Sequence, residues 1–241
     1  LWLAATATLG EAGLFRLALQ LTAMVMALEH ILQTAFTPNA AKLLSDIENK
    51  PRFLKFYEDI TVFQLKSVIP LVTLGVFFAP DIYSLAFGQD FREGALLFQI
   101  LALTIIVRIF FGPINNTLIA AGLAWQKLIM DIGAASVIIT FLVLFWTRSD
   151  GEFAAGIIVL TNIVWAMTGT YLLVRAGFTI VTPKSITSRL GLGAVLVIAT
   201  LTLAWIVDNL VGGNWPALVI SGVMLAFWGL YLMTYDPVRQ H

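Results

Sequence analysis

The sequence predicts an all-α fold, a polytopic bundle of helices that cross a membrane. Hydrophobic residues make up 59% of the 241 residues and charged residues 12%, and the mean hydropathy is +0.91. Soluble domains are nearer to roughly 45–50% apolar and about 25% charged, so a water-soluble fold would expose large apolar patches. The second observation is a pattern in which apolar runs alternate with short polar segments. The runs are about 20 residues long, the length that crosses the hydrocarbon core of a bilayer.

This pattern predicts seven full spans and the tail of another. Residues 1–5 form the tail, and the spans cover residues 13–37, 56–79, 95–121, 128–146, 153–174, 190–207 and 215–234. Inside lipid a helix satisfies its backbone hydrogen bonds locally, so each span is expected to be helical. Pro38 is expected just beyond the first full span, and Gly112-Pro113 is expected to break the third. Because the chain opens at Leu1 within an apolar stretch, we expect an N-terminal part of the protein to precede it.

Basic residues in the loops predict the orientation of the bundle. If residues 1–5 run outward, one set of alternate loops and the tail hold nine basic residues, whereas the opposite loops hold two. The first set is Lys42, Lys50, Arg52, Lys55, Lys127, Arg175, Lys184, Arg189 and Arg239, and the second is Arg92 and Arg148. Since cytoplasmic loops carry the excess of Lys and Arg, the C-terminus is predicted to be cytoplasmic.

The first full span is the most polar, and one half of its circumference predicts a cavity. At 100° per residue that half carries Arg16, Gln20, Thr22, Glu29, His30, Gln33 and Thr34. A two-faced membrane helix of this kind is typical of a helix that lines a water-filled space. The alternative is that Glu29 and Gln33 only hold neighbouring helices together. Arg16 lies near the outer end, where snorkelling to the interface is favoured, and His30 has no second ligand at metal spacing.

Two further cations lie near the middle of their spans. Lys66 falls in the second full span, and Arg108 falls in the third, on one face with Asn115. The alternative for either cation is a buried ion pair with Glu29. Counting Arg16, there are three intramembrane cations against one carboxylate, an excess that favours an anionic ligand such as a phosphate or diphosphate head group.

Several function classes find no support in the residues. The formal net charge is zero, so a nucleic-acid surface is not indicated. There is no cysteine, Walker A loop, Ser-His-Asp set or His-Glu-x-x-His motif, so no enzyme, cofactor or metal site is predicted.

Residues 10–18, 35–42, 82–91 and 116–122 together resemble segments of one family, the polysaccharide-transport branch of the multidrug/oligosaccharidyl-lipid/polysaccharide flippase superfamily. Residues 10–18 look like the start of the family's eighth helix, although Phe15 stands where tyrosine is usual. Residues 35–42 are similar to the proline and basic loop that end that helix, residues 82–91 to the outer loop after the ninth, and residues 116–122 to the small-residue end of the tenth.

The resemblance implies the C-terminal lobe, helices eight to fourteen, of a two-lobed transporter. Its members carry polyprenyl-diphosphate-linked glycans across the bacterial inner membrane by alternating access, for O-antigen or exopolysaccharide synthesis. Expected partners are that glycan, the bilayer, a polysaccharide polymerase and a chain-length regulator. The first full span would then border the central cavity, with Arg16, Gln20, Glu29, His30 and Gln33 as lining residues.

Three other readings stay open at the level of sequence. A cation-coupled exporter of small organic cations shares the same fold and would show an excess of acids in its cavity. A membrane-embedded enzyme acting on lipid-linked sugars would need an aqueous domain or an acidic cluster elsewhere in the protein. A structural subunit of a polysaccharide assembly would tolerate loss of its intramembrane polar residues.

Overall fold

The computed structural model describes residues 9–45, 50–145 and 150–178, and the regular structure within these ranges is entirely helical. The helices are α1 (Leu9–Leu44), α2 (Lys50–Phe77), α3 (Ala79–Phe87), α4 (Gly94–Ala120), α5 (Ala124–Leu144) and α6 (Gly151–Arg175), with a short 3₁₀ helix at Gln89–Phe91. The all-helical class is therefore confirmed. The predicted segments 1–5, 190–207 and 215–234 lie outside the described residues.

Within the described ranges, five helices are long and apolar enough to cross a membrane. The spanning segments are Gly10–Leu44, Pro51–Phe77, Gly94–Ala120, Ala124–Leu144 and Gly151–Arg175, each overlapping one predicted span. The shortest has 21 residues, or about 31 Å at about 1.5 Å per residue. That length matches a hydrocarbon core of about 30 Å, so these helices indicate a multi-pass membrane protein.

Prolines do not interrupt the helices where the sequence suggests that they would. The break expected at Gly112-Pro113 is wrong, because α4 runs continuously to Ala120, and α1 likewise continues past Pro38 to Leu44. A proline removes one backbone hydrogen bond, but membrane helices tolerate this where neighbouring helices and Ser or Thr side chains compensate. The carbonyl that loses its donor is that of Ile109, four residues before Pro113. One turn beyond the proline, the hydroxyl of Thr117 adds a hydrogen bond to the Pro113 carbonyl oxygen at 2.8 Å.

α4 is the central helix and packs against α1, α2 and α6. Near its start Gly94 lies beside Leu14 of α1, and near its end Asn116 donates a hydrogen bond to Gln33 of α1. Because the start of α4 contacts the start of α1 and its end contacts a later residue of α1, the two helices run in the same direction. α6 also runs parallel to α4, because Arg108 pairs with Asn162 and, further on, Ile114 with Gly169.

The other two long helices run in the opposite direction. At the end of α2 the Val76 carbonyl accepts a hydrogen bond from Gln99, near the start of α4. At the start of α2, Tyr57 packs in one cluster with Leu118, near the end of α4. α5 packs on α6, and aromatic contacts between Phe141 and Phe153 join the end of one to the start of the other. α1, α4 and α6 thus form a parallel set, which positions the site.

A polar layer separates two apolar clusters along this bundle. One cluster gathers Leu65, Val68, Val72, Ala102, Ile105 and Ile109, and the next gathers Phe36, Phe53, Tyr57, Ile60, Ile114 and Leu118. Between them in sequence lie Gly112 on α4 and the fully buried Gln64 on α2. Arg108 lies 14 residues after Gly94 and 12 before Ala120, about 21 Å and 18 Å from the two ends of the helix. The polar layer is therefore near mid-depth.

Gly169 marks the closest approach among α4, α5 and α6. A Cβ atom there would lie 2.6 Å from the Met130 sulfur and 2.9 Å from a methyl group of Ile114. Small residues at such crossings let membrane helices pack closely. Met130 and Ile114 are both fully buried, so neither side chain has open space into which to move.

We expect Gly169→Ala to lower the free energy of unfolding by about 1–3 kcal/mol, because overpacking of a buried contact forces side chains off their rotamers. The matched control is Gly156→Ala on the same helix, where a Cβ atom meets nothing within 4 Å. Denaturant titration of the purified protein in detergent measures both variants. Equal stability of the two variants would contradict the tight crossing.

Candidate functional site

A polar cavity of about 250 Å³ lies between the parallel helices α1, α4 and α6. Its lining consists of Glu29, His30, Gln33, Thr34 and Thr37 from α1, Arg108, Gly112, Asn115 and Asn116 from α4, and Trp165 from α6. At about 30 Å³ per water molecule, the volume corresponds to roughly eight waters. The space suits a head group or a single sugar ring, and an oligosaccharide would extend beyond it.

Arg108 is the cationic group of the cavity, and α6 holds it in place. Its Nε donates to the Oδ1 atom of Asn162 at 2.7 Å, and its guanidinium carbon lies 5.6 Å from the ring centroid of Trp165. Asn162 is fixed in turn, because its Nδ2 donates to the Ile158 carbonyl oxygen at 2.8 Å. The two terminal nitrogens of Arg108 donate to no residue in the described ranges. A guanidinium that is held in one orientation and has both terminal nitrogens available can bind an oxyanion through two parallel hydrogen bonds.

The α1 side of the cavity is a chain of amides that ends at a carboxylate. Asn116 donates through Nδ2 to Oε1 of Gln33, and the Nε2 of Gln33 points to Oε1 of Glu29 at 3.5 Å. Gln33 is buried, whereas Glu29 is half-buried. The second carboxylate oxygen of Glu29 accepts no hydrogen bond from a described residue. The wall thus presents acceptor atoms to the cavity.

Gly112 allows α1 and α4 to bring this wall together. A Cβ atom at position 112 would lie 2.5 Å from Oε1 of Glu29 and 2.7 Å from Nε2 of Gln33. A larger residue at this position would therefore require the ends of the Glu29 and Gln33 side chains to move away from the α4 backbone. The glycine that sequence reasoning assigned to a helix break serves instead as a close-approach position.

The two charged walls attract each other across the cavity. The Glu29 carboxylate interacts electrostatically with the Arg108 guanidinium, but no direct ion pair joins these two residues. The Oδ1 atom of Asn115 is buried and has no hydrogen-bond partner in the described part of the chain. A buried unsatisfied acceptor of this kind costs about 1–3 kcal/mol.

Five of the eight predicted site residues line this cavity, namely Glu29, His30, Gln33, Arg108 and Asn115. The other three do not. Arg16 and Gln20 are exposed on α1, and Lys66 is buried within α2. The three predicted cations are therefore not gathered in one place, and Arg108 is the cation of the cavity.

Arg16 and Gln20 belong instead to an exposed stripe that runs along α1. The stripe consists of Arg16, Gln20, Ala23, Ala27, His30, Thr34, Pro38 and Ala41, all of them exposed. At 100° per residue they fall within an arc of about 80°, and Arg16 and Thr34 are about 27 Å apart along the helix. His30 and Thr34 also line the cavity, so the α1 stripe and the cavity are continuous.

Sequence reasoning missed four residues of the site, Asn116, Asn162, Trp165 and Thr37. Asn162 and Trp165 carried a usable signal, because an amide and an indole in the middle of an apolar span are unusual when aromatic belts lie at span ends. No group of three His, Asp or Glu side chains able to hold a metal occurs within the described ranges. The chain matches no protein-family model, no curated protein and no solved structure.

A double-mutant cycle on Arg108 and Asn162 should give a coupling energy of about 1 kcal/mol. Hydrogen bonds between membrane helices average about 0.6 kcal/mol in such cycles, and a charged donor strengthens the bond. The variants are Arg108→Met, Asn162→Leu and the double substitution, measured by unfolding in detergent. The matched control replaces Thr161 by Val, because its hydroxyl donates within α6 to Ile157 at 2.8 Å. Coupling of equal size in both cycles would contradict the specific contact.

Proposed function

We propose that this chain belongs to a membrane transporter that moves a polyprenyl-diphosphate-linked oligosaccharide across the bacterial inner membrane. The observation that carries the proposal is Arg108, a cation near mid-depth whose orientation is set and whose terminal nitrogens are free among the described residues. Charge at this depth is expensive, and in membrane proteins it marks sites of function. An anion that carries its own lipid tail can reach such a site from the bilayer.

The size of the cavity favours recognition of the head group alone. At about 250 Å³ it is slightly below the roughly 300–1,000 Å³ of typical ligand sites. A phosphate with its first sugar fits this space, and the rest of the glycan would lie along the α1 stripe. Small and polar side chains make that stripe a poor surface for acyl chains, which pack against large apolar residues.

The stripe also supports the finer architecture of the proposal. In a two-lobed flippase of fourteen helices, this chain would supply seven, and α1 would border the space between the lobes. A surface of Arg16, Gln20, His30 and Thr34 that is about 27 Å long has the length and polarity of a transport path. Alternating access would expose this surface to each side of the membrane in turn.

The second candidate, an exporter of small organic cations, draws on Glu29. The carboxylate lines the same cavity and would attract a cation. Arg108 opposes this reading, because a guanidinium that the Glu29 carboxylate does not pair with directly would repel a cationic substrate. Loss of resistance to cationic dyes in a Glu29→Gln strain, with glycan export intact, would favour the exporter.

Replacing Arg108 should reduce transport of a lipid-linked glycan by about 10- to 100-fold, since a hydrogen-bonded charged contact contributes about 1.5–3 kcal/mol. Arg108→Lys should retain part of the transport activity, because lysine keeps the positive charge but cannot form the two parallel hydrogen bonds of a guanidinium. The assay uses proteoliposomes with a fluorescent polyprenyl-diphosphate disaccharide, in which dithionite quenches only the outer leaflet.

The matched control is Arg92→Ala, an exposed arginine outside the cavity. Lys66→Ala, for which the sequence alone also predicts a loss, should affect transport less than Arg108→Ala because Lys66 does not line the cavity. Normal transport by Arg108→Ala, at normal protein level, would refute the proposed function.

The proposed orientation places the α1–α2 connection in the cytoplasm and the 3₁₀ helix outside. The chain has no native cysteine, so single substitutions can be labelled cleanly. A cysteine at Asp90 should react with a membrane-impermeant maleimide in intact cells, whereas one at Lys55 should react only after the membrane is permeabilised. The reverse pattern would invert the topology.

A further inference from the structure

The two walls of the cavity offer opposite hydrogen-bonding groups to a ligand. On the α6 side, the terminal nitrogens of Arg108 are donors without acceptors in the described ranges. On the α1 side, Glu29 keeps a carboxylate oxygen that accepts no hydrogen bond from a described residue. The ligand that satisfies both walls has an anionic group and, beside it, hydroxyl or amide donors.

A bare oxyanion cannot satisfy this cavity. Its oxygens accept from Arg108, but they also face the Glu29 carboxylate, a like charge in a small and partly buried space. Like charges brought together at low dielectric repel strongly, and such repulsion is a common means of rejecting the wrong ligand. Hydroxyl groups placed between the anion and the carboxylate convert this repulsion into charge-assisted hydrogen bonds.

We propose that Glu29 determines specificity by accepting hydrogen bonds from the sugar hydroxyls next to the anionic group. The site would thus take a sugar phosphate and reject inorganic phosphate. This inference rests on the proposed function and adds a requirement that Arg108 by itself does not impose. It assigns Glu29 to the first sugar of the substrate and Arg108 to its phosphate.

The surroundings of Glu29 suit a group that acts on the ligand. Gln33 supports one carboxylate oxygen and is itself held by Asn116, so the other oxygen keeps a defined direction. Gly112 leaves the space that the carboxylate occupies. A carboxylate that served only to neutralise Arg108 would form a direct ion pair with it, and these two residues form none.

The experiment measures binding of three phosphates to the purified full chain in nanodiscs by isothermal titration calorimetry. Glucose 1-phosphate carries the sugar, methyl phosphate is a monoester without hydroxyls, and inorganic phosphate is the bare oxyanion. For the native chain we expect glucose 1-phosphate to bind about tenfold more tightly than methyl phosphate, as one charged hydrogen bond provides.

Glu29→Gln should change the affinities for glucose 1-phosphate and for inorganic phosphate in opposite directions. Binding of glucose 1-phosphate should become about tenfold weaker, because the charged acceptor is lost. Binding of inorganic phosphate should become severalfold tighter, because the carboxylate no longer repels it. Glu11→Gln is the matched control on the same helix, 18 residues away at an exposed position, and should change no affinity.

Each result decides between the inference and the function on which it rests. The specificity role of Glu29 is overturned if Glu29→Gln changes the affinities for all three phosphates in the same direction. It is also overturned if the native chain does not bind glucose 1-phosphate more tightly than the other two. The proposed function then still stands, provided that Arg108→Met abolishes binding of all three phosphates. If the native chain binds none of them, both proposals fall together.

Discussion

Arg108 lies near the middle of a helix in a bundle whose surroundings are the hydrocarbon of a membrane. The groups that stabilise its charge determine how the helices around the site are arranged. Lipid offers no hydrogen bonds, so the guanidinium must find partners within the protein. Asn162 accepts from Nε and the Trp165 ring covers the cation, and both belong to α6. This requirement places α4 and α6 in register at mid-depth and leaves the terminal nitrogens of Arg108 free at the cavity.

The close packing of α1 on α4 depends on a complementary constraint. Without a hydrophobic driving force between membrane helices, association relies on tight packing and on interhelical hydrogen bonds. Gly112 supplies the first and the Asn116–Gln33 bond supplies the second, within two turns of each other. The polar layer therefore joins the helices and also forms the cavity. Gln33, Asn116 and Gly112 thus hold α1 against α4 and also line the cavity.

A cavity of mixed charge fits the proposed function better than a purely cationic one. A cluster of unopposed cations would bind any polyvalent anion, whereas Arg108 on α4 with Glu29 on the facing α1 wall favours an anion that also carries donors. The α1 stripe extends this surface toward both ends of the helix, where a glycan could follow its head group. The apolar faces of α5 and α6, with exposed residues such as Ile139 and Met167, have the composition that acyl chains require.

The sequence by itself determined the fold class, because continuous apolar runs of about 20 residues have the length at which a helix crosses a bilayer, about twice the length of a spanning strand. It also determined the depth of Arg108, Glu29 and Asn115, since depth along a helix follows from counting residues. Which of the polar groups meet was decided only by the tertiary structure. Lys66 and Arg108 have similar depths, yet Lys66 is buried in α2 and Arg108 lines the cavity, because rotation about each helix axis is set by its neighbours. For the same reason Asn162 and Trp165, 54 and 57 residues beyond Arg108, could be identified as its partners only once α4 and α6 were packed in parallel.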